Sequence, residues 1–344
     1  MGQCTKKLYN PPVMIDALKL AGGILLLLAG GHGLVAGAIT IARRLGVSTL
    51  IVGLTIVAMG TSAPELAFNV IAATAGHPDL SFGNIVGSNI ANIGLVLGIT
   101  AVLTPLIVHG RVVSKELPWL VVVSIVAGLV TLFPPRLFGI NLGIEGGGFG
   151  RIGGVVMLLW FGVFMVTWYR MGRSDRTDPL VKGLGEEAEA ETLGSMKGAI
   201  ALVITGLVAL AVGGRLAEEG AVGLARAMGL SEALIGLTIV AFATSLPELV
   251  TALVAVRKGH HDLAIGNVVG SNLFNLLLVL GVTAVIKPVP RPEYGLWDLG
   301  AMTIITVVLW LMAWTHRLKV TRVEGAMLLI AYVGYMTWSV VREL

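Results

Sequence analysis

Two glutamates in this chain stand where a carboxylate is costly. Glu65 and Glu248 each follow a proline, Pro64 or Pro247, inside a stretch that is otherwise apolar. A buried acid of this kind is a functional site by default, because its ionised form must be compensated away from water. Each glutamate is preceded by a hydroxyl pair, Thr61-Ser62 or Thr244-Ser245. The proline removes a backbone donor and clashes with the carbonyl one turn back, near Gly60 in the first copy. The break is expected to leave carbonyls without helical partners, Ala58 in the first copy and Ala241 in the second. Carbonyl, hydroxyl and carboxylate oxygens converging on a broken helix are what Na⁺ or Ca²⁺ needs in place of lost water.

A second polar pair follows at fixed distance. Asn92 and Asn275 each come 27 residues after their glutamate, and each lies four residues after a serine, Ser88 or Ser271. That spacing sets serine and asparagine on one helix face, a turn apart. Gly83, Gly87, Gly266 and Gly270 recur every four residues and are expected to let a neighbouring helix approach closely.

Taken singly, these features have plainer readings. A Thr-Ser pair in a membrane helix often bonds its own carbonyls, a lone proline is usually a kink, and a buried glutamate can pair with a base. His32 and Arg215, at equivalent positions in apolar stretches, are the available bases; they are otherwise read as helix-end or interhelical hydrogen-bonding groups. None of this explains why the whole ensemble recurs. Gly53–Gly98 and Gly236–Gly281 are identical at 27 of 46 positions, at a constant offset of 183 residues, so the chain contains a repeated unit.

The elements that must position these residues are membrane helices. Of the 344 residues, 56% are hydrophobic and only 13% charged, against about 25% charged in a soluble domain. The formal charge of +4 is assigned to topology, since basic residues flank apolar segments, and no nucleic-acid role is expected. The single cysteine, Cys4, allows no intramolecular disulfide or cysteine metal site. The first apolar run lacks a cleavage pattern and is read as a retained helix. Spans of about 20 residues are expected near 15–41, 50–75, 82–108, 117–133 and 152–168, and again near 198–227, 233–256, 263–286, 296–314 and 323–341. The fold class is therefore an all-α integral membrane protein. Residues 1–168 form a first five-helix repeat, 169–197 a polar linker, and 198–344 a second repeat. Five crossings put the two repeats upside down relative to each other, with a site expected between them near the midplane.

Loop charge orients the bundle. The linker side collects about 14 Lys and Arg, including Arg43, Arg44, Arg257 and Lys258, against about eight on the other. This places the linker in the cytoplasm and both termini outside. Trp119, Trp168, Trp297, Trp314 and Trp338 fall near span ends, as an interfacial belt requires. His77, His260 and His261 sit in short loops beside Asp79 and Asp262 and are read as solvated.

At these residues the chain resembles the cation/calcium exchanger superfamily, most closely its prokaryotic sodium/calcium exchangers. The motifs GTSAPE, ATSLPE, GNIVGSN and GNVVGSN look like that family's two alpha-repeats, and the ten-helix layout extends the likeness over nearly the whole chain. The resemblance implies two inverted repeats with four ion sites between them. By that likeness Glu65 and Glu248 match the central carboxylates for Ca²⁺, shared by Na⁺. Thr61, Ser62, Thr244 and Ser245 match the hydroxyl and carbonyl ligands beside them. Ser88 and Ser271 match ligands of outlying sodium sites, Ala58 and Ala241 the carbonyl donors there, and Asn92 an asparagine of the middle site. Asn275 departs from the aspartate of some relatives, including potassium-dependent ones, which makes the middle site less anionic. Ala243 stands where glycine is common.

The expectation is an antiporter of Na⁺ and Ca²⁺ in the cell membrane, with alternating access supplied by the long, glycine-rich first and sixth helices. Ca²⁺ and Na⁺ are its substrates and the lipid bilayer its medium. No cofactor is expected, and the chain is taken as a monomer. Ca²⁺/H⁺ exchange on the same scaffold is the first alternative, and a passive cation channel the second. Neither a nucleophile–base pair nor an HExxH motif is present to suggest an enzyme.

Overall fold

The computed structural model describes residues 11–132, 136–137, 140–141, 147–175, 195–230, 241–315 and 318–342. Most of the linker, with its acidic cluster, lies outside these residues, as does the start of the second repeat at 231–240. The first half runs α1 (Pro11–Leu45), α2 (Thr49–Val52), α3 (Ala58–Thr61), α4 (Ala63–Thr74), α5 (Pro78–Ala91), α6 (Gly98–Leu103), α7 (Leu117–Val130) and α8 (Arg151–Asp175). The second runs α9 (Met196–Ala227), α10 (Ala241–Thr244), α11 (Leu246–Arg257), α12 (His261–Phe274), α13 (Leu280–Ile286), α14 (Gly295–Thr315) and α15 (Arg322–Val341). Two-residue strands β1 (Leu106–Ile107), β2 (Arg136–Leu137), β3 (Ile140–Asn141), β4 (Gly148–Phe149), β5 (Val289–Pro290) and β6 (Lys319–Val320) lie in the connections.

Nine helices among the described residues are long and apolar enough to cross a membrane. The expected tenth span begins in the undescribed 231–240 and continues through α10 and α11. Strand pairing shows that it must cross. β1 pairs with β6, and β4 with β5, both antiparallel. β1 follows the third span and β6 the ninth, so they share a face only if six crossings separate them. Without the crossing at α10–α11 the count would be odd and the partners would lie on opposite faces. The ten-helix inverted architecture is thus written into the loops.

The boundaries moved where loop chemistry intervened. The third span ends at Leu103, not 108, because Thr104 turns extended and Leu106–Ile107 enters the strand pair. The fourth begins earlier than 117: a π-helical turn at Val112–Glu116 carries Lys115 and Glu116 into the helix. The fifth continues past Trp168 to Asp175, taking the first part of the expected linker with it.

α1 and α9 pack as one antiparallel pair. Glycines recur every seven residues on both, with Gly23 against Gly213 and Gly30 against Gly206, while Gly37 meets Ala199 and Val203 and Gly220 meets Asp16 and Leu20. A Cβ on Gly30 would stand 2.8 Å from the Gly206 carbonyl oxygen, and one on Gly213 2.8 Å from that of Gly23. Only backbone against backbone permits such separation, the membrane's substitute for hydrophobic collapse.

At the end of the fold α15 is tied to α14. Arg342 forms a largely buried ion pair with Asp298, which also accepts from the Tyr335 hydroxyl at 3.0 Å. The guanidinium lies over Trp338 at 4.4 Å and Tyr294 at 5.0 Å. Breaking a largely desolvated pair costs about 3–5 kcal/mol, because the partner charge is left uncompensated. Arg342→Ala is therefore expected to lower the unfolding temperature in detergent clearly, and Asp298→Asn by less, since the amide keeps an acceptor. Unchanged melting of both would remove this cluster from the list of stabilising features.

Candidate ion-binding site

The site begins at two broken helices. α3 ends at Thr61 and α10 at Thr244, and each is followed by a serine close to the bridge conformation, Ser62 at φ −86°, ψ 0° and Ser245 at φ −93°, ψ 3°. Pro64 and Pro247 then occupy the first turns of α4 and α11, where a missing N–H costs nothing. This starts a new helix within the membrane and sets Glu65 and Glu248 in its first turn, at the end of the helix dipole that favours negative charge.

Both carboxyls are buried, Glu65 at 8% exposure and Glu248 at 1%, and they lie close enough for the charge of Glu65 to act on Glu248. Each has one oxygen, Oε2, that is buried and accepts no hydrogen bond. The same is true of Ser62 Oγ and of Asn275 Oδ1. Buried polar atoms of folded proteins are nearly always satisfied, so a group of orphan oxygens around two acids calls for an explanation. Carboxylate, hydroxyl and amide oxygens left over in this way are of the kind that ligate a hard cation.

Hydrogen bonds join the two repeats around these atoms. The Thr61 hydroxyl lies 3.1 Å from Asn267 Oδ1 and 3.2 Å from Ser271 Oγ. Asn92 Nδ2 donates to Asn272 Oδ1 at 2.9 Å, Asn272 Nδ2 to the Asn89 carbonyl at 3.2 Å, and Asn275 Nδ2 to Asn89 Oδ1 at 3.5 Å. These bonds turn the amide nitrogen of Asn275 away and leave its oxygen free. At Asn92 and at Asn275 the helix widens into a π-helical turn, Asn92–Leu97 and Asn275–Val279, a distortion frequent at functional sites. Ser88 and Ser245 are also buried.

Several expectations need correction. The Ala58 carbonyl is not without a helical partner: it accepts the Ser62 amide at 3.0 Å, because the break falls after Ser62. In the second repeat the Ser245 amide instead bonds Phe242 at 3.2 Å, one residue past Ala241. Thr244, unlike Thr61, is exposed. His32 and Arg215 bond within their own helices, to the Leu28 carbonyl at 2.8 Å and to Glu219 at 3.1 Å, and pair with neither site glutamate. His260 and His261 are half-buried rather than solvated, and burial together with Arg43 holds the His260 imidazole below its ordinary pKa. Trp168 is no belt residue: it is buried, with its indole N–H on Glu116.

The glycines divide by side. Gly266 and Gly270 meet α2 and α3 as expected, with a Cβ on either falling 2.8 Å from a backbone oxygen, of Leu50 or Leu54. Gly83 and Gly87 have nothing within 4 Å. At these positions α12 is pressed against α2 and α3, whereas α5 leaves open space.

The site holds further polar residues. Asn84 and Asn267, and Asn89 and Asn272, recur at the repeat offset and were discoverable by it. Asn69, which bonds Asn84 at 2.7 Å, and Thr251, whose buried hydroxyl has no partner, have apolar counterparts, Ala252 and Phe68. Nothing in the repeat marks them.

The family model described as sodium/calcium exchanger protein matches residues 16–170 and 198–341. The chain belongs to this family. The two matched segments flank the linker and together take in both broken helices. As a member of the sodium/calcium exchanger family it is a membrane transporter, a cation/calcium antiporter, and not an enzyme. It is 40% identical over 332 residues to the putative antiporter CaxA of Alkalimonas amylolytica, covering 94% of this chain and 98% of that one. Sodium/calcium exchanger MaX1 of Methanosarcina acetivorans is 29% identical, with 94% and 98% covered. Among solved structures, the sodium-calcium exchanger NCX_Mj soaked with 2.5 mM Na⁺ and 0.1 mM Sr²⁺ superposes with a TM-score of 0.78 at 30% identity, covering 94% and 99%. The all-α, ten-helix, two-repeat fold expected of the sequence is that of the family.

Proposed function

We propose that this exchanger couples Na⁺ to Ca²⁺, using the donor set around Glu65 and Glu248. The observation that carries the reading is the pair of buried carboxyls, one from each inverted repeat, each with an orphan oxygen. Ionised, they present a formal charge of −2, which one Ca²⁺ or two Na⁺ neutralises. Holding both ion classes at once would leave excess positive charge in a low dielectric, so the ions exclude each other. Mutual exclusion at one site is antiport. Ser62, Ser245, Ser88, Asn92, Ser271, Asn275 and the carbonyls of Ala58 and Ala241 complete the set. Ala58 O accepts the Ser62 amide and lies 3.4 Å from the Thr61 hydroxyl, so it reaches a cation when that hydroxyl turns to Asn267 Oδ1. Thr61 and Thr244 hold the frame at the helix breaks. The names of MaX1 and NCX_Mj, both sodium/calcium exchangers, support the same coupling.

The division of the glycines supports a reading by alternating access. The tight contact of Gly266 and Gly270 closes the linker side, and the freedom at Gly83 and Gly87 leaves the other side able to open. The α1–α9 pair, held together by its own glycines, moves as a unit between these arrangements. The excess of positive charge in the linker-side loops supports a cytoplasmic position for the closed side.

Proteoliposomes loaded with Na⁺ and diluted into Na⁺-free medium with labelled Ca²⁺ test this. Uptake is expected only with the outward Na⁺ gradient, and K⁺ is not expected to alter it. Uptake driven by a pH gradient without Na⁺ would replace the reading with Ca²⁺/H⁺ exchange. Flux independent of any counter-ion would make the protein a channel.

A further inference from the structure

A second buried acid lies away from the ion site, near the linker-side ends of the fourth and fifth spans. Glu116, 2% exposed, closes the π-helical turn that precedes α7. Its Oε2 accepts the indole N–H of Trp168 at 3.1 Å, and its Oε1 is buried without a partner. Glu116 and Trp168 line a cavity of about 280 Å³ together with Lys115, Trp119, Trp160 and Phe164. Trp119 and Trp160 meet edge to face at 6.0 Å. The ion-exchange reading makes no use of this place, and the repeat has no part in it.

The lining selects its ligand. A carboxylate oxygen lacking a donor asks for a cation, and aromatic faces favour an organic cation over a hydrated metal ion. One carboxylate with three indoles is too poor in oxygen for Ca²⁺ or Mg²⁺. A quaternary ammonium could sit among the rings but has no N–H to give Glu116 Oε1, so the ligand is a primary ammonium. Lys115 at the exposed rim would repel a free amine but suits one that carries a phosphate. Trp119 and Val163 beside the opening are exposed apolar side chains on a membrane-facing surface, where an acyl chain can lie. We infer that this cavity binds the ammonium headgroup of phosphatidylethanolamine, with Glu116 receiving the ammonium and Lys115 the phosphate.

The test is lipid retention by the purified full-length protein in detergent, read by native mass spectrometry after exposure to equimolar phosphatidylethanolamine, phosphatidylcholine and phosphatidylglycerol. Wild type is expected to keep one phosphatidylethanolamine in about tenfold preference over phosphatidylcholine. Glu116→Gln, which keeps an acceptor for Trp168, is expected to erase that preference. So is Trp119→Leu, at the exposed rim, which guards against a folding defect in the first variant. Free ethanolamine at matched concentration is expected not to displace the lipid. Equal retention of the ethanolamine and choline lipids by wild type, persistence of the preference in both variants, or displacement by free ethanolamine would each overturn the inference. Na⁺-driven Ca²⁺ uptake does not enter this readout, so failure of the coupling reading and failure of this one are separable.

Discussion

Glu248→Gln is expected to abolish Na⁺-gradient-driven Ca²⁺ uptake, and Glu65→Gln to follow it closely. Glutamine keeps the volume of glutamate and one oxygen at the same place, so the broken helix and its packing survive. What is lost is one unit of charge at a site 1% exposed. At an effective dielectric of about 20, a unit charge about 4 Å from a divalent ion contributes roughly 8 kcal/mol of gross attraction. Desolvating the carboxylate cancels much of this when no ion is bound. A net remainder of only ~3 kcal/mol still weakens Ca²⁺ more than about 100-fold, since each ~1.4 kcal/mol is a factor of ten. Under the proposed function both carboxyls serve one ion, so the double variant is expected to be scarcely worse than either single one. Uptake by reconstituted protein, with thermal stability measured beside it, decides the matter. Stable variants that still transport at wild-type rate would exclude the two glutamates as ligands.

The second large effect is mechanical. Gly206→Leu is expected to destroy the α1–α9 pair, because a Cβ there would stand 2.6 Å from the Leu34 amide nitrogen and 2.8 Å from the Gly30 carbonyl oxygen. These are backbone atoms of the facing helix, which cannot rotate aside as a side chain does. The helices must separate, and contacts along the glycine heptads are lost together. Overpacking usually costs about 1–3 kcal/mol where side chains can shift; here the cost should exceed that range. Gly22→Leu is the matched control on the other helix of the pair, α1, with nothing within 4 Å of its Cβ. The first variant should fail to give a monodisperse, heat-resistant species in detergent, and the second should melt like wild type. If both behave alike, α1 and α9 do not depend on backbone contact, and their motion as a unit loses its basis.

The limits of reading the sequence show in particular residues. Glu65 and Glu248 stood out because an acid among apolar residues is rare and because the repeat displayed it twice. Asn89 and Asn272 were equally repeated but looked ordinary, one asparagine among several in a polar motif. Glu116 was invisible for a different reason. Beside Lys115 and shortly after Arg111 it reads as loop, and only Trp168, 52 residues away, draws it inside. Trp168 itself, read as an interfacial anchor, was misplaced by the same contact. The Ala58 carbonyl was misjudged because proline chemistry predicts a break without saying which amide falls on which side of it.

Sequence alone determined the span pattern, the duplicated acids and the inverted pairing, because these depend on covalent order, hydropathy and the parity of five crossings. Those properties are local or additive along the chain. Tertiary structure decided which oxygens are spent and which are left over. Thr61 gives its hydroxyl to a helix some 206 residues later, and Asn275 keeps its oxygen because Asn89, 186 residues earlier, takes its nitrogen. It also decided that Gly266 and Gly270 are pressed against backbone while their counterparts Gly83 and Gly87 are not. A hydrogen bond or a close contact is a fact about two groups, and a sequence states only one of them at a time.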